Sequence, residues 1–244
     1  MAIKGVITNF DGGEESSIDL QSDGKIIVGG NYSSDNGRYY ALARYNNNGS
    51  LDATFDSDGK GTTSFPLLLL VRAMTIQGDG KILVAGFSHN GRNYDFGLVR
   101  YNNNGSLDVT FDGDGKVITT LGGDSDSETA TDMVLQPDGK ILVAGGITSS
   151  DFMYRDFALV RYNSDGSLDA TFDNDGKVTT DFGGKDYSPK ITLQADGKIL
   201  VAGVSGTNSD SSKVTVDNTD FALARYNADG SLDITFDGDG AYSD

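Results

Sequence analysis

The chain has no cysteine and no tryptophan, one histidine and three prolines among its 244 residues, and each shortage closes off a class of answer. Without cysteine there is no disulfide framework, no thiolate metal site and no cysteine nucleophile, so stability must come from packing and hydrogen bonds. The single histidine, His89, lies in the polar stretch SHNGRNY. It leaves a serine triad with one candidate base, no G-x-S-x-G turn accompanies it, and a zinc site would need carboxylates for its remaining ligands. The lack of tryptophan removes the Trp-Asp signature of WD repeats. Long apolar runs are missing too. Pro66 to Val71 is far too short to span a bilayer, and the opening MAIKGVITNF lacks the apolar core of a secretory signal. Basic residues are scarce, with 19 Lys and Arg against 36 Asp and Glu, a formal charge of -17. That charge repels phosphate backbones and anionic lipid, which argues against nucleic acid and membrane insertion and leaves cations or cationic partners.

Aspartate and glycine are abundant, while Glu14, Glu15 and Glu128 are the only glutamates. Aspartate favours turns over helices, and no stretch shows sustained helical periodicity. Internal repetition dominates instead. QSDGKIIVGG from Gln21, QGDGKILVAG from Gln77, QPDGKILVAG from Gln136 and QADGKILVAG from Gln194 recur at intervals of 56, 59 and 58 residues. Each is followed by a second element: ARYNNNGSLDATFDSDGK from Ala43, VRYNNNGSLDVTFDGDGK from Val99, VRYNSDGSLDATFDNDGK from Val160 and ARYNADGSLDITFDGDGA from Ala224.

One copy reads as four strands. Ala130 to Leu135 and Lys140 to Gly145 flank a Pro-Asp-Gly turn; Phe157 to Tyr162 forms a third strand, and Lys177 to Phe182 a fourth beyond two glycine turns. Continuous apolar runs such as KILVA suit strands buried on both faces between neighbouring blades. The sequence therefore predicts an all-β, four-bladed β-propeller with four antiparallel strands per blade, as one domain over residues 1–244. The blades are expected near 11–65, 66–121, 122–182 and 183–240. The last copy stops at FDGDGAYSD, and KGVITNF near the start matches KVITTL after Gly115. Residues 1–10 are accordingly expected to complete the last blade and close the ring, removing both sheet edges.

The motifs D-G-K-I-L-V-A-G and R-Y-N-x-x-G-S-L-D-x-T-F resemble those of the bacterial delta-60 repeats over essentially the whole chain. The resemblance implies a propeller of bacterial surface or secreted repeat proteins, with no activity or catalytic residues to carry over. It favours an extracellular or cell-surface setting, although no signal peptide is present in this chain. It also implies longer members, so that four copies ending abruptly fit a trimmed or engineered chain.

Two sets of residues are candidates for chemistry. The D-x-D-G turns (Asp56 and Asp58, Asp112 and Asp114, Asp173 and Asp175, Asp237 and Asp239) offer the oxygens and the sharp turn that calcium favours, with Asp52, Asp108, Asp169 and Asp233 four residues upstream. The competing reading is a hairpin turn capped by aspartate, and no closing glutamate completes an EF-hand. Arg44, Arg100, Arg161 and Arg225, one in each apolar third strand, are expected to form an inter-blade pair with an aspartate, the one preceding the third strand in three copies: Asp95, Asp156 and Asp220, with Tyr39 in its place in the first copy.

Connections that match in every copy fall on one end of the blades, and the variable ones on the other. Rigid scaffolds carry specificity in variable loops. The variable end holds Tyr32, Arg38, Tyr39, Arg92, Tyr94, Phe152, Tyr154, Arg155 and Tyr187, residue types enriched at recognition sites. A catalytic carboxylate pair needs two different environments, which fourfold repetition works against. The expectation is a non-enzymatic binding or scaffolding module for a protein or glycan. A calcium-dependent carbohydrate-binding or adhesion module is the alternative, followed by a glycoside-acting enzyme with a carboxylate pair.

Overall fold

The computed structural model describes residues 14–34, 37–63, 69–123, 125–151, 154–206 and 219–243. Among them every regular element is a β-strand and there is no helix, as the composition predicts. The strands fall into four groups of four: β1 Glu14–Leu20, β2 Ile26–Ser34, β3 Gly37–Tyr45 and β4 Lys60–Thr63; β5 Leu69–Ile76, β6 Ile82–His89, β7 Tyr94–Tyr101 and β8 Lys116–Thr119; β9 Ser127–Leu135, β10 Ile141–Thr148, β11 Arg155–Tyr162 and β12 Lys177–Thr180; β13 Lys185–Leu193, β14 Ile199–Gly206, β15 Thr219–Tyr226 and β16 Ala241–Ser243. Within each group the hydrogen-bonded order follows the sequence, which is the meander of a propeller blade. A single parallel bridge, Arg155 to Lys185, joins the third sheet to the fourth. The chain divides into two compact units, residues 1–90 with 97–117 and residues 91–96 with 118–244.

The repeated turns explain the repeated words. In Q-x-D-G-K the Gly24 amide donates to Gln21 O at 2.8 Å and the Lys25 amide to Asp23 Oδ1, while Gly24 holds φ at 84°. In N-x-x-G-S-L-D-x-T-F the Gly49 amide donates to Asn46 O, and an antiparallel bridge pairs Tyr45 with Leu51. The motif's phenylalanine is fully buried at Phe55, Phe111 and Phe172. Phe172 packs beneath the turn of the following repeat, where a Cβ on Gly230 would stand 2.9 Å from its ring. One core gathers Ile27, Tyr40, Leu42, Phe55, Val71, Val84 and Tyr101; the other gathers Leu142, Phe157, Leu159, Phe172, Ile199, Val201 and Tyr226.

Three expectations need correction. The second strands do not end at the glycine of K-I-L-V-A-G. β10 runs on to Thr148, and Gly145 lies opposite a bulge in β9. There a Cβ would meet Thr129 O at 2.2 Å and the Phe96 ring at 2.5 Å, so the glycine marks a close backbone approach rather than a strand end. The last repeat does have its own fourth strand, since Ala241 to Ser243 pair with Ala224 to Ala222 as Lys177 to Thr179 pair with Val160 to Ala158. The expected strand from residues 1–10 lies outside the described residues. The repeated arginines, thirdly, choose a different partner. Instead of an aspartate in a neighbouring blade, each arginine takes one in its own repeat. The partner is the aspartate of S-L-D, which the Tyr162–Leu168 bridge folds back beside the arginine.

The first and last repeats expose residues whose counterparts are buried elsewhere. Ile18 on β1 is 63% exposed, while Met74, Met133 and Ile191 are at 9%. Phe221 on β15 is 84% exposed, whereas Phe96 and Phe157 are at 1% and 0%.

Candidate functional site

The constant end of each blade is consumed by a charge network. Asp169 Oδ2 accepts from Arg161 Nε at 2.6 Å and from Lys140 Nζ at 2.7 Å, while its Oδ1 accepts the hydroxyl and the amide of Thr171. Arg161 also lies 4.5 Å from the centre of the Phe172 ring and donates to Ala228 O of the next repeat. The same constellation recurs as Arg44, Lys25 and Thr54 around Asp52, Arg100, Lys81 and Thr110 around Asp108, and Arg225, Lys198 and Thr235 around Asp233. Burial by itself would raise the Asp169 carboxyl, yet the hydrogen bonds from Lys140 and Thr171 hold it well below the usual carboxylate range. These groups are committed to one another.

The D-x-D-G aspartates also have local work. Asp58, Asp114, Asp175 and Asp239 each accept the amide two residues on, at 2.8 to 3.0 Å. Asp56, Asp112, Asp173 and Asp237 hold φ between 44° and 51°, and the Asp173 amide donates to Asp229 O. None of these eight belongs to the cluster of three metal-capable side chains found among the described residues. That cluster is Asp156, Asp181 and Asp186, whose ligand atoms all lie within 4.8 Å of one another.

It stands at the variable end of the third and fourth repeats, within the second unit. Asp156 is the second residue of β11, Asp181 follows β12, and Asp186 is the second residue of β13. Asp186 is fully buried, and its Oδ2 accepts the Phe182 amide at 3.1 Å. Burial, then the charges of Asp181 and Asp186, raise Asp156 to about 6. Asp186 is raised by burial first and by the charge of Asp181, against the lowering effect of the Ser205 side chain and the Phe182 amide.

Beside this cluster lie three residues singled out in the sequence. The Arg155 guanidinium sits 4.4 Å from the centre of the Tyr187 ring, a cation–π arrangement, and its buried Nε has no hydrogen-bond partner. Burial lowers its pKa from the ordinary value. Tyr154 is 41% exposed and its hydroxyl donates to Asp126 Oδ2 at 3.2 Å. Its backbone is fixed by an amide bond to Ser149 Oγ, which in turn donates to Asp151. Desolvation, followed by the charge of Asp126, raises the Tyr154 hydroxyl.

The remaining members of the variable set lie on other strands and connections. Tyr39 is half-buried in β3, where its backbone pairs with that of Tyr32, and Arg38 pairs with Ser33, so all three belong to a strand hairpin rather than a loop. Arg92 is exposed in the β6–β7 connection, and Tyr94 opens β7 half-buried. Phe152 lies outside the described residues.

Sequence reasoning missed Asp126, Asp181, Asp186 and Glu128. Glu128 and Asp186 are second residues of β9 and β13, so an acid recurs at one register position. Glu128 is fully buried with its Oε1 accepting the Gly122 amide. Burial, then the charge of Asp95, pushes it up to about 7. The available signal was the alignment of first strands, where Glu128 and Asp186 both stand eight residues before the repeated glutamine, Gln136 and Gln194, and five before an apolar residue, Met133 and Ile191.

Comparison with known proteins follows the repeat. Residues 21–55, 77–111, 136–172 and 194–236, together more than half of the chain, match the family model described as a domain of unknown function (DUF5122) beta-propeller. A comparison with curated proteins gives no match. Among solved structures, a protein of unknown function from Dyadobacter fermentans DSM 18053 aligns with a TM-score of 0.52 at 11% identity, over 93% of this chain and 62% of that one. This chain thus spans less than two thirds of that relative, and the likeness is one of fold. A thermostable family-43 glycoside hydrolase gives 0.49 at 12% identity, over 87% of this chain and 71% of that one. An alpha-L-arabinofuranosidase from Lactobacillus brevis gives 0.47 at 14%, over 88% and 73%. Scores of that size carry no argument about what this chain does.

Proposed function

The chain belongs to the DUF5122 beta-propeller family, whose description names no activity, and on that footing we propose that it is a non-catalytic recognition module with its ligand surface at the variable end of the third and fourth repeats. The observation that carries this reading is the grouping of Tyr154, Arg155 and Tyr187. Tyr154 is exposed and its hydroxyl bonds the Asp126 carboxylate, and the next residue, Arg155, lays its guanidinium on the ring of Tyr187. Such residues offer an exposed aromatic face, a guanidinium and an acidic acceptor, a set that suits a polyhydroxylated ligand such as a glycan. The net charge of -17 disfavours polyanions at the same surface.

Tyr154→Ala combined with Arg155→Ala is expected to weaken glycan binding at least tenfold, a loss of about 1.4 kcal/mol or more, in a glycan-array screen followed by calorimetry. Val109→Ala, at a 63% exposed position in the constant motif, serves as control. Absence of any glycan ligand for the wild type, or undiminished binding by the double variant, would defeat the reading. The alternative of glycoside hydrolysis would draw on Asp156, raised to about 6 as acid catalysts often are. Release of reducing sugar from a bound glycan would favour that alternative over a pure binder.

We also propose that the four repeats close into a ring. Supporting this are the apolar faces of β1 and β15, exposed at Ile18 and Phe221 where their counterparts are covered by a neighbouring repeat. A compact 244-residue ring is expected to show a radius of gyration of about 18 Å in small-angle scattering, independent of concentration. A much larger value for a monomer would mean an open stack.

A further inference from the structure

We propose that Asp156, Asp181 and Asp186 form a divalent-cation site of the calcium type. One ligand oxygen from each lies within 4.8 Å of the others. Oxygens on a calcium shell of 2.3–2.6 Å radius are at most about 5 Å apart, so one ion fits among all three. The side chains come from β11, from the β12–β13 connection and from β13, which fixes their separation by sheet packing rather than by one flexible loop.

A second observation points to a missing partner. Asp186 is fully buried, and its Oδ1 and the Oδ1 of Asp156 are both buried with no hydrogen-bond donor. Buried carboxylate oxygens normally have donors, and an anion without one is costly. Of the two cations adjacent in sequence, Arg155 is turned onto the Tyr187 ring and Lys185 makes no salt bridge with the cluster. Among the described residues none of Asp156, Asp181 and Asp186 takes part in a salt bridge.

The preceding junction shows what a self-sufficient version looks like. Asp95 and Glu128 occupy the positions of Asp156 and Asp186, but Thr120 stands where Asp181 does. The Thr120 hydroxyl donates to Asp95 Oδ1 at 3.0 Å. In the third–fourth junction that donor is replaced by a third carboxylate, an exchange that suits a hard cation with oxygen-only ligands and gives zinc neither nitrogen nor sulfur. The proposal is independent of the glycan reading, because its readout is the ion.

The test is calorimetric titration of calcium chloride into the chelator-stripped full chain at pH 7.5. One saturable site per chain is expected, with a melting temperature that rises with calcium. Asp186→Asn and Asp181→Asn should each weaken binding at least tenfold, whereas Asp114→Asn with Asp175→Asn, in the D-x-D-G turns, should leave it unchanged. If Asp186→Asn fails to fold, Asp181→Asn decides. That side chain is exposed and accepts the Gly183 amide, a role asparagine keeps. No saturable binding by the wild type, binding that survives Asp181→Asn, or binding lost in the turn variant would each overturn the site.

Discussion

Asp169→Ala is expected to cost about 3–5 kcal/mol and to lower the melting temperature by roughly 10 °C or more, because it strips the shared anion from two cations and leaves one of them buried. The Arg161 side chain is 7% exposed and the Asp169 side chain 4%, so water cannot replace the lost carboxylate without opening the blade. The lost partners are those of Arg161 Nε, Lys140 Nζ, and the hydroxyl and amide of Thr171. The comparison variant is Asp175→Ala in the same repeat, which removes only a turn acceptor for the Lys177 amide and is expected to cost about 1 kcal/mol. Thermal and urea denaturation of the two variants separate a network from a turn. Equal melting temperatures would mean that the ion cluster contributes no more than an exposed hydrogen bond. The same network sets an acid limit. A carboxyl held below its unfolded value stabilises the fold at pH above about 4, and that stability drains away as pH falls through the folded value.

The repeat made the strands legible because blade geometry is written in local chemistry. Asp-Gly-Lys and Asn-x-x-Gly-Ser are turns with few alternatives, and the apolar runs between them have strand length. The glycine of K-I-L-V-A-G misled because a glycine that ends a strand and one that yields to a facing carbonyl look alike in sequence. Only the register of β9 against β10, with its bulge before Gly145, tells them apart. The arginine partner misled for a related reason. A charge pair repeated in every copy reads equally well between blades or within one, and only the fold-back at the Tyr162–Leu168 bridge puts the partner in the same repeat.

Of the variable set, the structure lays Arg155 on Tyr187 and bonds Tyr154 to Asp126, while the acids of the cluster come from three different elements and follow no motif. The conspicuous D-x-D-G pairs attracted the calcium reading through spacing, while the structure employs Asp58, Asp114, Asp175 and Asp239 as turn acceptors. Asp156 and Asp186 lie thirty positions apart and meet only because β11 and β13 are bridged at Arg155 and Lys185. Such proximity is a product of inter-sheet packing, which single-sequence periodicity does not encode.

Glu128→Gln is expected to stabilise the protein by roughly 3 kcal/mol at pH 8 while changing little at pH 4. Glu128 is fully buried at the start of β9, and burial together with the charge of Asp95 lifts its carboxyl from 4.5 to about 7. An acid raised in the folded state is the reverse of Asp169. The folded protein holds the proton that the unfolded chain has already released, so stability is full below pH 4.5, falls as pH rises from there to about 7, and then stays at the lower level. Two and a half units at about 1.4 kcal/mol each give the quoted size. Glutamine keeps a carbonyl oxygen for the Gly122 amide now bonded to Oε1, and it offers Asp95 an N–H in place of a second negative charge. Melting curves between pH 4 and pH 8 provide the measurement. The wild type should lose melting temperature steadily across that range, and the variant should lose less, with the remaining slope due to Asp156 and Asp186, both raised by burial. A variant that melts below the wild type at pH 8 would show that the buried carboxylate is better served by its surroundings than a neutral amide, and that Asp95 does not repel it.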